Sequence, residues 1–258
     1  MRTPISYYGG KQKMIKYILP LIPEHIIYCE PFFGGGAIFF SKKPSKVEII
    51  NDINHEVINF YRVLQSKYEL LEKEILTTLH SRELHRRAMV IYENPELFDE
   101  VKRAWAFWTA TNQGFSHNVC PSWGYCKYGS CTLNVKSKIN SFNNNLKERV
   151  KNIQIECRDA IKVILSRDTE NTFFYCDPPY FNSDCGHYSY YKKLDFENLL
   201  KCLVQIKGKF LLSCYNSDIL EEYASNFNWI IKKVEKPVAI NYRIKKRKVE
   251  LMVMNYSL

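Results

Sequence analysis

The chain has 258 residues, 46% of them hydrophobic and 14% aromatic, with a formal net charge of +10 and a pI near 9.0. That composition excludes a disordered chain and supplies a core for one or two domains. No run approaches the roughly 20 apolar residues of a membrane span, and Met1-Arg2-Thr3-Pro4-Ile5-Ser6 carries no signal-like apolar segment, so a soluble, cytoplasmic protein is expected.

In chain order, Ile26-Ile27-Tyr28-Cys29 reads as a first strand. Glu30-Pro31-Phe32-Phe33-Gly34-Gly35-Gly36 follows as a glycine-rich turn that opens a helix at Ala37-Ile38-Phe39-Phe40. Val47-Glu48-Ile49-Ile50 is the next strand, ending in Asn51-Asp52, and a helix starts near Asn54 with Val57, Ile58, Tyr61 and Leu64 on one face. The pattern then changes. Leu97, Val101, Ala104, Trp105 and Trp108 recur at helical spacing, and a loop-rich stretch runs from Gly114 to Asn145. Strands return at Ile153–Cys157, Phe173–Cys176, Phe210–Ser213 and Val249–Met254, with a helix from Asp195 to Gln205. This alternation predicts an α/β sheet with a mainly parallel centre, interrupted by a separate module.

The nine cysteines are odd in number, and several lie in apolar runs (Cys29, Cys176, Cys202, Cys214). There a free thiol behaves as a small hydrophobe, and a reducing compartment is the simplest account. His117, Cys120, Cys126 and Cys131 stand close enough in sequence for a zinc site but lack a Cys-x2-Cys pair; no metal is assigned. The basic run Arg243-Ile244-Lys245-Lys246-Arg247-Lys248 reads as a phosphate-contacting segment or as a solvated hairpin tip.

The most informative residues are Asp177-Pro178-Pro179-Tyr180, which follow the apolar run Thr172–Cys176. Two prolines lack N–H groups and fix φ near −65°, making a stiff strand exit that carries a carboxylate, free carbonyls and an aromatic ring. That set suits a flat hydrogen-bonding ring such as a nucleobase. The glycine turn lets backbone approach a ligand closely, and Asp52 at the end of the second strand is placed to accept hydrogen bonds from ribose hydroxyls. A nicotinamide enzyme competes for this reading, but three adjacent glycines replace the G-x-G-x-x-G spacing.

Pro4–Lys11 (P-I-S-Y-Y-G-G-K), Glu30–Phe40 (E-P-F-F-G-G-G-A-I-F-F), Asn51–Asn54 (N-D-I-N), Asp177–Tyr180 (D-P-P-Y) and the ending Val249–Tyr256 together resemble the adenine-specific DNA methyltransferases of the alpha group. The resemblance implies a Rossmann-like, class I S-adenosylmethionine (SAM)-dependent methyltransferase sheet formed by residues 1–60 and 149–258. It implies an inserted, mainly helical target-recognition domain at 61–148 that carries a loop or β-hairpin. SAM would be bound by Tyr7, Lys11, Glu30, Phe32, Gly34, Gly35, Gly36, Asp52, Asp159 and Asp177; Asp159 reads equally as a helix cap. Asp177, Pro178 and Tyr180 would be catalytic, methylating N6 of an adenine flipped out of double-stranded DNA.

DNA contacts would fall to Asn112, Gln113, Phe115, Asn118 and Lys127 and to Arg243, Lys245, Lys246, Arg247 and Lys248. Ser122, Trp123 and Tyr125 are further candidates in the loop. Relatives read guanine with an arginine in this module, whereas this chain has none between Arg103 and Arg149, so a GATC target is not expected. An RNA adenine or DNA cytosine-N4 methyltransferase, and a catalytically silent DNA-binding relative, stay open as alternatives. A cognate restriction endonuclease is a further expected partner, in a bacterial or phage-encoded system, with the enzyme a monomer or a dimer.

Overall fold

The computed structural model describes residues 1–115, 119, 122–182, 191–237 and 247–258. Seven strands follow one another along these: β1 (Ile27–Glu30), β2 (Val47–Asn51), β3 (Gln154–Glu156), β4 (Thr172–Cys176), β5 (Lys209–Cys214), β6 (Ile230–Pro237) and β7 (Arg247–Met254). The chain divides into two compact units. One comprises Met1–Ile15, Gly34–Pro44 and Asp52–Cys157, the other Lys16–Phe33, Ser45–Asn51 and Arg158–Leu258.

The second unit contains every strand but β3, in the order β2-β1-β4-β5-β7-β6. β2, β1, β4 and β5 are parallel, and β7 lies antiparallel between β5 and β6. All five residues of β4 are buried, as expected of a parallel strand covered on both faces, which explains its unbroken apolar run. Helices Ala160–Arg167, Lys193–Gln205 and Asp218–Asn226 cover the face that carries Phe174 and Cys176. Val163, Phe174, Phe196, Leu199, Phe210, Leu212 and Val253 belong to the resulting core. The chain runs from β1 outward to β2 and from β4 outward to β5, so the strand order reverses between β1 and β4. In open α/β sheets, ligands bind at the carboxyl ends of strands flanking such a point. Glu30 ends β1, and Asp177 immediately follows β4.

The first unit is mainly helical: His55–Ser66, Tyr68–Leu76, Arg82–Glu93, Glu100–Gln113, Cys131–Ser141 and Asn144–Val150, with β3 near its end. Asn54 caps the first of these by accepting a hydrogen bond from Glu56 N. Helix Glu100–Gln113 is buried from Ala104 to Gln113. Trp108 is wholly enclosed, and Trp105 donates from Nε1 to Thr78 Oγ1 at 2.8 Å, so both tryptophans are core.

Three expectations change, the first being that the stretch expected as loop-rich from Gly114 to Asn145 carries helix Cys131–Ser141. The helical spacing extends back to Leu97, but Asp99 Oδ1 accepts from Val101 N and Lys102 N and starts the helix after it, leaving Leu97 exposed. Residues 37–41 form consecutive turns instead of a helix; Phe40 N donates to Gly36 O and Ser41 N to Ile38 O, and the ladder goes no further than Lys42. β6 had not been anticipated, because Ile230-Ile231-Lys232-Lys233 lacks a period-two pattern.

Candidate active site

In the second unit, the exit of β4 is organised by a buried carboxylate that the sequence reading passed over. Pro178 is buried, while Asp177 and Tyr180 are partly exposed. Tyr180 Oη is 3.2 Å from Asp177 Oδ1 and 3.1 Å from Glu250 Oε1. Ser213 Oγ donates to the same Glu250 oxygen at 3.1 Å. The Tyr180 ring meets Tyr215 edge to face, with centroids 4.5 Å apart. Burial, then the charges of Asp177 and Glu250, push the Tyr180 hydroxyl well above the usual phenol range, so it serves as a donor. The neighbouring Tyr175 hydroxyl is raised by burial and by Asp177, Glu30 and Glu250. Three carboxylates therefore act on one buried phenol at this end of the sheet.

Glu30 is buried and accepts from Tyr28 Oη at 2.7 Å. Phe32 packs partly buried against the sheet core. Asn51 ties the loops beyond β1 and β2 to the entry of the next helix. Its Nδ2 donates to Pro31 O and Arg158 O, and its Oδ1 accepts from Arg158 N. This pins the residue before Asp159. Asp159 Oδ1 accepts from Lys162 N and caps helix Ala160–Arg167, with the carboxylate at the surface.

In the first unit, Gly34 and Gly36 have φ of +48° and +64°, a region that only glycine enters cheaply. A Cβ on Gly34 would stand 2.8 Å from the Tyr7 ring. Asp52 Oδ2 accepts from Gly34 N at 2.8 Å and Oδ1 from Asn54 N at 2.9 Å. Burial raises the Asp52 carboxyl, and backbone N–H groups of Asn54, Gly34 and Ile53 pull the other way. Each oxygen keeps acceptor capacity, so the donor set fits a ligand bearing hydroxyls. Lys11 is buried, with Nζ donating to Gly9 O at 3.2 Å. The turn is thus fixed by Asp52 rather than by a helix amino end.

The loop beyond helix Glu100–Gln113 folds back on itself. Phe115 N donates to Ser122 O and Gly124 N to Gln113 O, around an antiparallel bridge between Gly114 and Trp123. Asn112 and Gln113 point inward. Asn112 Oδ1 accepts from Ser6 N and Oγ, and its Nδ2 donates to Trp108 O. Gln113 Oε1 accepts from Ser81 N, and its Nε2 donates to Leu79 O. Phe115 and Lys127 are exposed. His117, Asn118, Cys120, Arg243, Lys245 and Lys246 lie outside the described residues, as do the side chains of Arg247 and Lys248 on β7. Cys126 and Cys131, weighed in the sequence as zinc ligands, are joined in a disulfide, their Cα atoms 5.9 Å apart, a separation that permits the bond. Arg82, remote in sequence, comes to this loop. Its guanidinium lies 4.9 Å from the Trp123 ring centroid and 5.5 Å from that of Tyr125.

The sheet order, the antiparallel β7 and the acids at the carboxyl ends of β1 and β4 define a Rossmann-like α/β fold with its ligand-binding end at those acids. A family model for the D12 class N6 adenine-specific DNA methyltransferases matches residues 7–238, and the chain belongs to that family. It is 29% identical over 285 residues to the type II methyltransferase M1.LlaDCHI of Lactococcus lactis subsp. cremoris, covering 100% of this chain and 96% of that one. It is 30% identical over 293 residues to the type II methyltransferase M.MjaIII of Methanocaldococcus jannaschii, covering 98% of each. A DNA adenine methylase of Salmonella typhi is 22% identical over 283 residues, covering 98% of this chain and 95% of that one. The protein is an N6-adenine DNA methyltransferase with SAM as its methyl donor; the RNA, cytosine-N4 and silent readings are not favoured. No helix among the described residues is long and apolar enough to cross a membrane.

Proposed function

We propose that Asp177 and the Pro178 carbonyl accept the two N–H bonds of the target adenine's amino group, with Tyr180 stacking on the extruded base. The observation that carries this is the Tyr180–Asp177 contact at the rigid exit of β4. The amino nitrogen is a weak nucleophile because its lone pair is delocalised into the ring. Two fixed acceptors orient the nitrogen, and positioning of this kind contributes up to roughly 7–11 kcal/mol in favourable cases. Stacking on Tyr180 would add about 1–3 kcal/mol to holding the base. When bound, SAM supplies an electrophilic methyl group for direct transfer. Once methylated, the nitrogen carries positive charge and releases a proton readily, so no strong base is required. No covalent enzyme intermediate is required either. The buried thiols suit none: burial pushes Cys202 up to about 11 and Cys176 well above the ordinary thiol range, keeping both protonated.

The SAM-binding residues in this reading are Tyr7, Lys11, Glu30, Phe32, Gly34, Gly35, Gly36, Asp52, Asp159 and Asp177. Asp52 would accept the ribose hydroxyls, and Asp159 the adenine amino group of SAM through its uncommitted oxygen. Residues 61–148 would read the bases flanking the target, with Phe115, Lys127, Trp123 and Tyr125 on the accessible side of the loop and the 243–248 cations on phosphates. The relatives named as type II methyltransferases support a restriction endonuclease as partner and a cytoplasmic site of action. Incubating varied DNA with labelled SAM and identifying the modified base tests the reading. N6-methyladenine from the wild-type enzyme and none from a folded Asp177→Ala variant is the expected result; substantial turnover by that variant would overturn it.

A further inference from the structure

We infer that Glu250 is a positioning residue for methyl transfer: from β7 it competes with Asp177 for the Tyr180 hydroxyl proton and so lessens the phenol's claim on the carboxylate that accepts from the adenine amino group. The inference rests on the proposed roles of Asp177 and Tyr180.

Glu250 is an anomaly of the strand it occupies. Leu251, Met252, Val253 and Met254 are all buried core residues, and Glu250 is only 4% exposed among them. A buried carboxylate is costly unless hydrogen bonded. Two of its hydrogen bonds come from Tyr180 and Ser213 and converge on one oxygen, Oε1. The sheet register sets Ser213 beside Met252 on the adjacent strand, so β5 and β7 together present Glu250 to the exit of β4.

The second observation is stoichiometric. The Tyr180 hydroxyl has one proton and two carboxylate oxygens at almost equal distance, 3.2 Å for Asp177 and 3.1 Å for Glu250. A proton directed to Asp177 Oδ1 takes one of that carboxylate's acceptor positions and weakens and turns it as an acceptor for the adenine amino group. A proton directed to Glu250 releases it, while keeping the phenol ring tethered at its hydroxyl end and against Tyr215. Without Glu250, Tyr180 has Asp177 as its remaining carboxylate in this contact. The consequence falls on the chemical step rather than on SAM binding.

The test is a double-mutant cycle on the full chain, with kcat, KM for DNA, SAM affinity by calorimetry and thermal unfolding measured for each variant. Glu250→Ala should lower kcat roughly tenfold or more, as expected for a hydrogen bond to a charged group, with SAM affinity changed far less than kcat. Glu250→Gln, whose carbonyl can still accept from Tyr180, should recover much of that rate. In the Tyr180→Phe background, which has no hydroxyl to redirect, Glu250→Ala should have little further effect. An equal loss in both backgrounds would show that Glu250 is only a brace for the sheet and would overturn the proposal, as would unchanged kcat in Glu250→Ala. If Glu250→Ala fails to fold, the Gln variant and its Tyr180→Phe combination carry the same comparison: a Gln defect that persists undiminished without the hydroxyl sinks the idea. Absence of N6-methyladenine with the wild-type enzyme would instead refute the reading on which the proposal rests.

Discussion

Asp52→Asn separates what this carboxylate does for the fold from what it does for the ligand. In the folded chain its two oxygens accept from Gly34 N at 2.8 Å and Asn54 N at 2.9 Å. An Asn side chain keeps one acceptor and turns an NH2 group toward the other donor, losing a hydrogen bond to a charged group, about 1.5–3 kcal/mol. The opposing effect is the burial that raises the Asp52 carboxyl and outweighs its backbone donors. Because the folded pKa lies above the unfolded value, Asp52 contributes stability that is present below pH 3.8 and lost as pH rises through the folded value. At neutral pH the ionised group therefore opposes folding, and a neutral amide removes that penalty. The two effects oppose one another, so the ligand-free Asn variant should melt within about 5 °C of wild type, since 1 kcal/mol moves a domain of this size by about 2–4 °C. SAM binding has no such compensation, and its Kd should rise tenfold or more. Scanning fluorimetry with and without SAM, followed by calorimetric titration, measures both. Unchanged SAM affinity, or a large loss of ligand-free stability with SAM affinity intact, would refute the reasoning.

Asp177→Ala should reduce methylation below detection while moving the melting temperature by only a few degrees, because Asp177 is partly exposed at a strand exit; labelled-methyl incorporation and a melt on one preparation check this. Tyr180→Ala should impair methylation of duplex DNA more than of mismatched or single-stranded DNA, where extrusion costs less; equal losses on all three would argue against a stacking role. Arg82→Ala should relax one position of the target sequence or weaken DNA binding. Glu83, the neighbouring acid, is engaged with Arg86 and Arg87, and sequencing methylated sites made by both enzymes reads the outcome directly. Gly34→Ala should destabilise the first unit by more than the ~1–2 kcal/mol that a Cβ costs in the left-handed region alone, since the added carbon would also press on Tyr7 at φ +48°; a wild-type melting curve would contradict it.

Much of this was legible in the sequence because strand exits and glycine turns are local. The run into Asp177-Pro178-Pro179-Tyr180 gives β4 and its tip directly, and Asn54 announces its helix by a side chain that caps it. Glu250 was visible in principle, as a lone charge ahead of Leu251–Met254, yet its meaning depends on a strand pairing that no local pattern encodes. Arg82 carries no local signal at all; its guanidinium reaches Trp123 only through the path of the chain. The inward turn of Asn112 and Gln113 was equally hidden, since amides on a buried helix face look the same in sequence as amides on an accessible one. The helix expected to open at Ala37–Phe40 gave only turns, because Pro44 leaves it too short to extend and Ser41 N and Lys42 N both return to Ile38 O.

β7 is last in chain order among the strands yet sits inside the sheet, with β5 on one side and β6 on the other. In a chain made only up to residue 246 the sheet therefore ends at β5, with β6 lacking its neighbour and Glu250 not yet in place. β5 pairs with β4 on only one edge until residues 247–254 have emerged and slotted in. Domains fold as their segments leave the ribosome, so the tip at Asp177 waits through some 70 further residues for its last contact. Insertion of one late strand makes methyl transfer a property of the finished molecule, and a prematurely released chain would be expected to leave the genome unmarked.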